Sequence, residues 1–566
     1  MKRSSLLRSG VLLLVVMGLI AACGSGNNKK KVPGVPNGDG GEAGQGDAPN
    51  AGSAGKGGAG KGGASANGGN AGDLGGAADE AGSGGESGAV GGEGGAGGAG
   101  PVFHGLYVGI DGLDTNGGSH DEPFLTLAHA ISVAQAGDTI VFLDGTFAAA
   151  PVATVPDGVD VMAEHSGAAK LTCSANLFTF AGSSRVEGLE FDACPQPIVA
   201  ISAGQLTMVD LFFVSGGTET GAVHLGGTVK ATLTGASDHV YSQGGANLFF
   251  LSETASLSVT GGTFKAGNNG GFSGNGLFRT ANSAKLSLKD VVVVDVKQAA
   301  VSAGDTSTVT LDHAAMDLVG DFVVLLRNNP TFITKNGTRL ALKPTADPGY
   351  ECLRFELSGG SVNIDDTEIT GCNAAINSVL PTTLTISNST LHHNDGLAMD
   401  LGSYQSSAPI STVTISNTEI SDNGTAITQI HGGIRLGAAI LNLKLRGVTF
   451  KDIGGSATDA TDMYLTASNG SNFDFGTLAD PGLNTFQTNG LGSGLRFQSA
   501  NFSGLTVQAV GNTWTPNVQG ADPQGKYAVP VGGPKTFDAV GPISVNSGAA
   551  NYQLSTTTTL RLAEKP

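Results

Sequence analysis

From residue 185 onward this chain of 566 residues repeats one short pattern: an apolar residue, a spacer, a turn residue, two spacers and a second apolar residue. Val186, Met208, Leu233, Val259, Leu288, Leu311, Ile364, Ile386, Ile415 and Leu445 fill the first position. Two residues later stand Gly188, Asp210, Gly235, Gly261, Asp290, His313, Asp366, Asn388, Asn417 and Gly447. All but His313 are Gly, Asp or Asn, the residues that tolerate a left-handed backbone. The second apolar column runs Phe191, Phe213, Val240 (shifted by two), Phe264, Val293, Met316, Ile369, Leu391, Ile420 and Phe450. Intervals are 22 to 30 residues, with one double gap between Leu311 and Ile364.

Such intervals are too long for hairpins and suit one coil of a parallel β-helix, with loops absorbing the variation. Coils stack ~4.8 Å apart, so like residues lie over like. Asn388 over Asn417 and Asn394 over Asn423 are then placed to form amide ladders. The alternative is an antiparallel sandwich of many short strands. Sandwiches rarely keep one turn chemistry in register over so many repeats.

The body opens near Pro101. Phe124, Leu127, Ile131 and Ala134 share one helical face, Pro123 suits a first turn, and Gly137-Asp138 ends the helix. Thr139–Leu143 reads as a buried strand, and Asp144-Gly145-Thr146-Phe147 turns away. Tyr107-Val108, a polar loop, Pro123-Phe124-Leu125-Thr126-Leu127, a helix, Gly137-Asp138-Thr139-Ile140 and Gly145-Thr146-Phe147 follow in order. This run resembles the opening module of pectate-lyase-like β-helix proteins. The resemblance implies an all-β, single-stranded right-handed parallel β-helix whose first coil is capped by a short helix. The segment Gly511–Asp522, with the only tryptophan, Trp514, resembles a closing segment of related proteins. An end coil needs a cover for its open strand edges, so Trp514 is read as a cap in preference to a sugar-stacking platform.

At the N-terminus, Lys2, Arg3 and Arg8 precede an apolar run, Val11–Ile20, too short to span a bilayer comfortably. Ile20-Ala21-Ala22-Cys23 is similar to a bacterial lipobox, which implies lipidation of Cys23. An ordinary signal peptide with a chance cysteine is the alternative. Gly24 after the cysteine implies, by the same likeness, an outer-membrane anchor, held stably by several acyl chains. Residues 24–100 hold 31 glycines, no aromatic and only Val32, Val35, Leu74 and Val90 as large apolar residues. They cannot offset their ordering entropy and read as a disordered tether with a reach of roughly 50 Å.

Residues 1–100 are charge-neutral, so the whole formal charge of −18 sits on residues 101–566. An acidic body repels nucleic-acid phosphates, and polyanionic sugars too unless a divalent cation bridges them. The partners that remain are the membrane through the lipid, neutral glycans and extracellular matrix. The resulting division is a signal peptide (1–22), tether (23–100), opening module and cap (101–150), coils (151–500) and closing segment (501–566).

Four further cysteines stand one coil apart in pairs. Equivalent positions on neighbouring coils are within disulfide reach, and an envelope location is oxidising. The expected bonds are Cys173–Cys194 and Cys352–Cys372. No Cys-x-x-Cys spacing supports a metal site.

The repeat also predicts outward columns: Glu368/Thr390/Glu419/Thr449, Thr370/His392/Ser421/Lys451 and Gly371/His393/Asp422/Asp452. They gather His392, His393, Glu419, Asp422, Lys451 and Asp452 within three coils. Lys451 is the candidate base for a β-eliminating lyase, with Ca²⁺ held by Asp422 and Asp452 to neutralise a uronate. Glu419 with Asp422 is the candidate carboxylate pair for a hydrolase. An ordinary solvated sheet face requires the same polar residues and is the favoured reading. The Asn-Thr-Asp, Gly-His-Gly and Arg-Ile-Lys elements of galacturonan hydrolases are missing, and Asp365-Asp366 falls in the turn column. Asp111, Asp114, Asp121 and Glu122 read as an Asx-rich turn rather than a Ca²⁺ loop, for want of an EF-hand pattern. The sequence therefore favours a non-catalytic glycan- or matrix-binding module over a polysaccharide lyase or glycoside hydrolase.

Overall fold

The structure, a computed structural model, describes residues 105–515 apart from segments between strands, together with Ile543–Val545 and Leu560–Arg561. Cys23, the signal peptide (1–22), the tether (23–100) and most of 501–566 lie outside the described residues.

The described chain is a parallel β-solenoid of three ladders. The first runs from Gly105–Val108 through Thr139–Phe142 to Leu560–Arg561. The second starts at Gly145–Ala148, is interrupted after Phe212–Phe213, and resumes from His239–Tyr241 to Thr513–Thr515. The third runs from Ala153–Val155 to Ile543–Val545. One coil shows the plan. Ser361–Asp365, Thr367–Thr370 and Ala374–Ser378 pair with Thr383–Ser387, Thr390–His392 and Met399–Leu401, each in parallel. Parallel pairing of residues some two dozen apart excludes the antiparallel sandwich.

The local chemistry explains the coil. All ten residues of the turn column have positive φ, between 43° at Asp366 and 69° at Gly235 and Gly261. That conformation lets the first ladder turn sharply into the second. His313 adopts it too, at φ 52°, with its Nδ1 2.7 Å from Asp290 Oδ1 one coil back. The ten residues of the first apolar column are fully buried. Aromatic residues stack along the interior, with ring centroids 5.4 Å apart for Phe191–Phe213 and 5.1 Å for both Phe249–Phe278 and Phe450–Phe486. Such pairs add to their area burial.

The double gap closes on a threonine. Leu311 pairs with Thr334, and Thr334 with Ile364, so one coil carries Thr in the apolar column and Asn336 at the turn, φ 57°. Thr334 is fully buried, and its hydroxyl lies 2.8 Å from Thr367 Oγ1. A satisfied hydroxyl substitutes for a methyl at small cost, which is why hydropathy alone skipped this coil. In the second column the partner of Phe264 is His239, one residue before the expected Val240.

The opening helix and the second disulfide differ from expectation in detail. The helix spans Leu127–Val133 and is N-capped by Thr126, whose hydroxyl accepts from His129 N at 3.2 Å. Pro123 therefore precedes the first turn, and Phe124 makes a parallel bridge to Val108. Leu127, Ile131 and Ala134 pack against the core as expected. Asp114 is a structural acceptor: desolvation is the largest single influence and raises its pKa, but the bonds its carboxylate takes from Leu125 N, Thr126 N and the Thr126 hydroxyl, with the nearby His129, together lower it. Cys173–Cys194 and Cys352–Cys372 are bonded, with Cα atoms 4.7 and 5.6 Å apart. The second bond does not join equivalent positions. Glu351 faces Ala374, so Cys352 sits opposite Ala375, and the bond reaches back across the corner to Cys372.

Buried amides finish the column that holds Cys372. Asn394 Oδ1 accepts from Cys372 N at 3.0 Å, Asn423 Oδ1 accepts from Asn394 N and Nδ2, and Asn423 Nδ2 donates to Leu391 O. Asn388 and Asn417 form a looser exposed rung at 3.4 Å. Phe450, Phe486 and Trp514 are in register, which places Trp514 on the apolar column at the last described strand of the second ladder.

Candidate functional sites on the ladder faces

The second ladder presents the expected columns. Glu368, Thr390, Glu419 and Thr449 are in register, as are Thr370, His392, Ser421 and Lys451. Between them Ile369, Leu391, Ile420 and Phe450 point inward and are fully buried. The third expected column is not a strand face. Gly371, His393, Asp422 and Asp452 all have positive φ, 74°, 51°, 52° and 51°, so they form a second turn column. Asp, His and Gly at these positions serve the corner.

The structure brings only part of the expected patch together. His392 Nε2 lies 2.9 Å from Glu368 Oε1, and Arg339 Nε lies 3.1 Å from Glu368 Oε2. Arg339 also pairs with Asp317, and His392 Nδ1 meets His393 Nδ1 at 2.6 Å. The result is a chain of side chains, Asp317–Arg339–Glu368–His392–His393. Arg339 belongs to the coil that the repeat skipped, so the sequence reading did not place it. Lys451 stands apart, 3.9 Å from its neighbour Asp452. Asp422 and Asp452 belong to no group of three ligand side chains close enough to share an ion among the described residues. Asp422 and Asp452, the expected Ca²⁺ pair, thus stand at corners of the coil. Glu419 and Asp422 are separated by the inward Ile420 and by Ser421, which is buried at 4% exposure.

A second polar stripe lies on the third ladder. Arg354, Asn377, Asp400, Arg435 and Tyr464 are stacked in register on five successive coils. Arg435 Nε donates to Asp400 Oδ1 at 2.8 Å, and a second, parallel bond completes a two-point pair. Beside the stripe, Glu351 is 7% exposed. Asn377 Nδ2 donates to Glu351 Oε1 at 2.8 Å, and Arg354 stands 3.6 Å from Oε2. Burial pushes the Glu351 carboxyl above its ordinary pKa, outweighing the bonds from Asn377 and Arg354 that lower it. Glu351 Oε2 and Asn377 Oδ1 are buried without a hydrogen-bond partner. Buried acceptors short of a hydrogen bond and a perturbed carboxyl make this the candidate site on the third ladder.

The sequence reading missed this stripe for a structural reason. One or two residues separate the first ladder from the second in the coils from Asp365 to Thr449, which keeps their pattern periodic. The step from the second ladder to the third varies from three residues after Thr370 to ten after Ser421. No fixed spacing therefore announces the third-ladder columns.

No known family model matches the chain, and no curated protein matches it in sequence. Solved structures do. One is an alginate lyase in complex with G6, at 13% identity over 57% of this chain and 82% of that one, TM-score 0.31. Another is the A-module of the Azotobacter vinelandii mannuronan C-5 epimerase AlgE6, at 12% identity over 69% and 93%, TM-score 0.27. A third is the pectate lyase Pel9A, at 14% identity over 64% and 83%, TM-score 0.27. The parallel solenoid itself is established by the ladders.

Proposed function

We propose that this chain is a surface-anchored β-helix lipoprotein that binds an extended glycan or matrix polymer along its third ladder without turning it over. The observation that carries the reading is the stripe Arg354–Asn377–Asp400–Arg435–Tyr464. Coil stacking repeats donors and acceptors every ~4.8 Å, a spacing suited to successive units of a linear polymer. Cys23 lipidation in the outer membrane and a glycine-rich tether would hold the rod clear of the surface. On the second ladder, part of the candidate set is engaged elsewhere. His392 is tied to Glu368, and His393, Asp422 and Asp452 occupy corners.

A polysaccharide lyase or hydrolase is the second reading, and Glu351 favours it. A carboxyl whose pKa is raised by burial, beside Arg354, is a candidate general acid. In this reading Ca²⁺ neutralises a uronate carboxylate. One experiment separates the two. The purified protein is incubated with a panel of neutral and acidic polysaccharides, with and without Ca²⁺. Binding is measured alongside new reducing ends and the ultraviolet absorbance of unsaturated uronates. Binding without turnover that is weakened by Asn377→Ala supports the module. Turnover abolished by Glu351→Gln replaces it with the enzyme. No binding to any member removes both.

A further inference from the structure

We infer that Glu351 and Asn377 form a subsite that recognises the hydroxyl groups of a neutral sugar unit and turns away a uronate, an assignment that rests on the glycan reading of the third ladder. Glu351 starts its strand, and Asn377 lies on the next coil, in register with Arg354 of the polar stripe. The Asn377 amide donates to Glu351 Oε1 at 2.8 Å. That bond engages one oxygen of the carboxylate. Glu351 Oε2 and Asn377 Oδ1 stay buried without a hydrogen-bond partner, on a glutamate that is only 7% exposed. Two such acceptors from neighbouring coils call for donors, because an unpaired buried acceptor is costly. A hydroxyl can both donate and accept, whereas an ionised carboxylate only accepts.

The charges around the subsite are already paired. Arg354 Nε donates to Glu356 Oε1 at 3.0 Å, Arg327 Nε lies 3.2 Å from Glu356 Oε2, and Arg435 holds Asp400 through two bonds. Glu351, Glu356 and Asp400 therefore match Arg327, Arg354 and Arg435 one for one. The Arg354 guanidinium also lies over the Phe322 ring, 5.2 Å from its centroid, which restrains it from swinging toward a ligand. Phe322 is the partner of Glu351 on the preceding coil, so an apolar ring borders the unpaired acceptors. A few convergent polar atoms beside an aromatic surface are the usual make-up of a small-ligand subsite. A uronate carboxylate placed here would meet Glu351 with the neighbouring guanidiniums engaged, on a body that carries the whole formal charge of −18. A neutral hexose meets no such repulsion, and its hydroxyls supply the missing donors.

The test uses purified full-length protein and matched polymers. Polygalacturonate and alginate are each compared with their carboxyl-reduced forms, in which every uronate has become a neutral hexose. Xylan, galactomannan and dextran widen the neutral set. Binding is measured by calorimetry without added divalent cation, and Ca²⁺ is titrated separately. Expected is binding to at least one neutral polymer, ~10-fold or more tighter than to either charged parent. Glu351→Gln keeps the shape but puts a donor where an acceptor stood, and should weaken that binding by ~10-fold or more. Asn377→Ala should weaken it too, with the circular dichroism of the parent retained in both variants. Lys285→Ala, exposed on the first ladder, should leave it unchanged. Preference for a charged parent overturns the inference and leaves the glycan reading standing. So does neutral binding that survives Glu351→Gln. Saturable Ca²⁺ binding that is lost in Glu351→Gln assigns the acceptors to a cation and overturns the inference as well. No binding to any polymer removes the glycan reading and the inference with it.

Discussion

Asp462 gives the sharpest test of the interior. It lies on the third ladder between Thr461 and Met463, at an inward position where the preceding coils place Ala375, Ala398 and Gly433. It is 1% exposed, and its Oδ2 has no hydrogen-bond partner. Burial alone drives its pKa well above the ordinary carboxylate value of 3.8. The folded chain therefore holds a proton that the unfolded chain releases above that value. Where the unfolded state binds fewer protons, stability falls as pH rises. The slope is ~1.36 kcal/mol per pH unit, from 3.8 up to the raised folded pKa. Asp462→Ala restores the small residue that the column carries elsewhere and removes that slope. In acid the variant should lie within ~2 kcal/mol of the parent, because loss of an orphaned oxygen offsets loss of packing. Its advantage should then grow by ~1.36 kcal/mol for each pH unit up to the raised folded pKa and level off above it. Urea denaturation midpoints for both proteins, taken in steps from pH ~4 to ~8 with unchanged m-values, read this difference directly. A variant-minus-parent difference that stays flat or shrinks with pH would refute the reasoning.

Three other outcomes follow from the same geometry. Asn423→Ala deletes three buried hydrogen bonds, to Asn394 N, Asn394 Nδ2 and Leu391 O, and should cost about 3 kcal/mol or more in urea denaturation. Asn417 has φ 46°, so Asn417→Gly should be nearly neutral while Asn417→Val loses ~1–3 kcal/mol by the same measurement. Replacing Cys173 and Cys194 together by Ser opens a loop of 21 residues and should cost ~3 kcal/mol, and a reductant should then produce no further loss at that site.

The turn and apolar columns were legible because each is local chemistry repeated at a steady spacing. Gly, Asp or Asn at positive φ, followed three residues later by a buried apolar side chain, needs no knowledge of distant partners. Thr334 escaped because its burial depends on Thr367, 33 residues away, to accept or donate a hydrogen bond. The second-ladder columns were placed in the right register, but the third of them was not recognised as a corner. His393, Asp422 and Asp452 look like chemistry in the sequence and are corners in the fold.

What the sequence by itself determined is the coil: its rise, its turn residues, its inward columns and the cysteines that meet across it. Only the tertiary structure decided which side chains converge from loops of unequal length. Glu351 beside Asn377, Arg435 on Asp400, and His120 reaching Glu164 are contacts between segments whose spacing varies. Burial is likewise a property of the stacked coils, so the proton on Asp462 becomes visible only when its neighbours are in place.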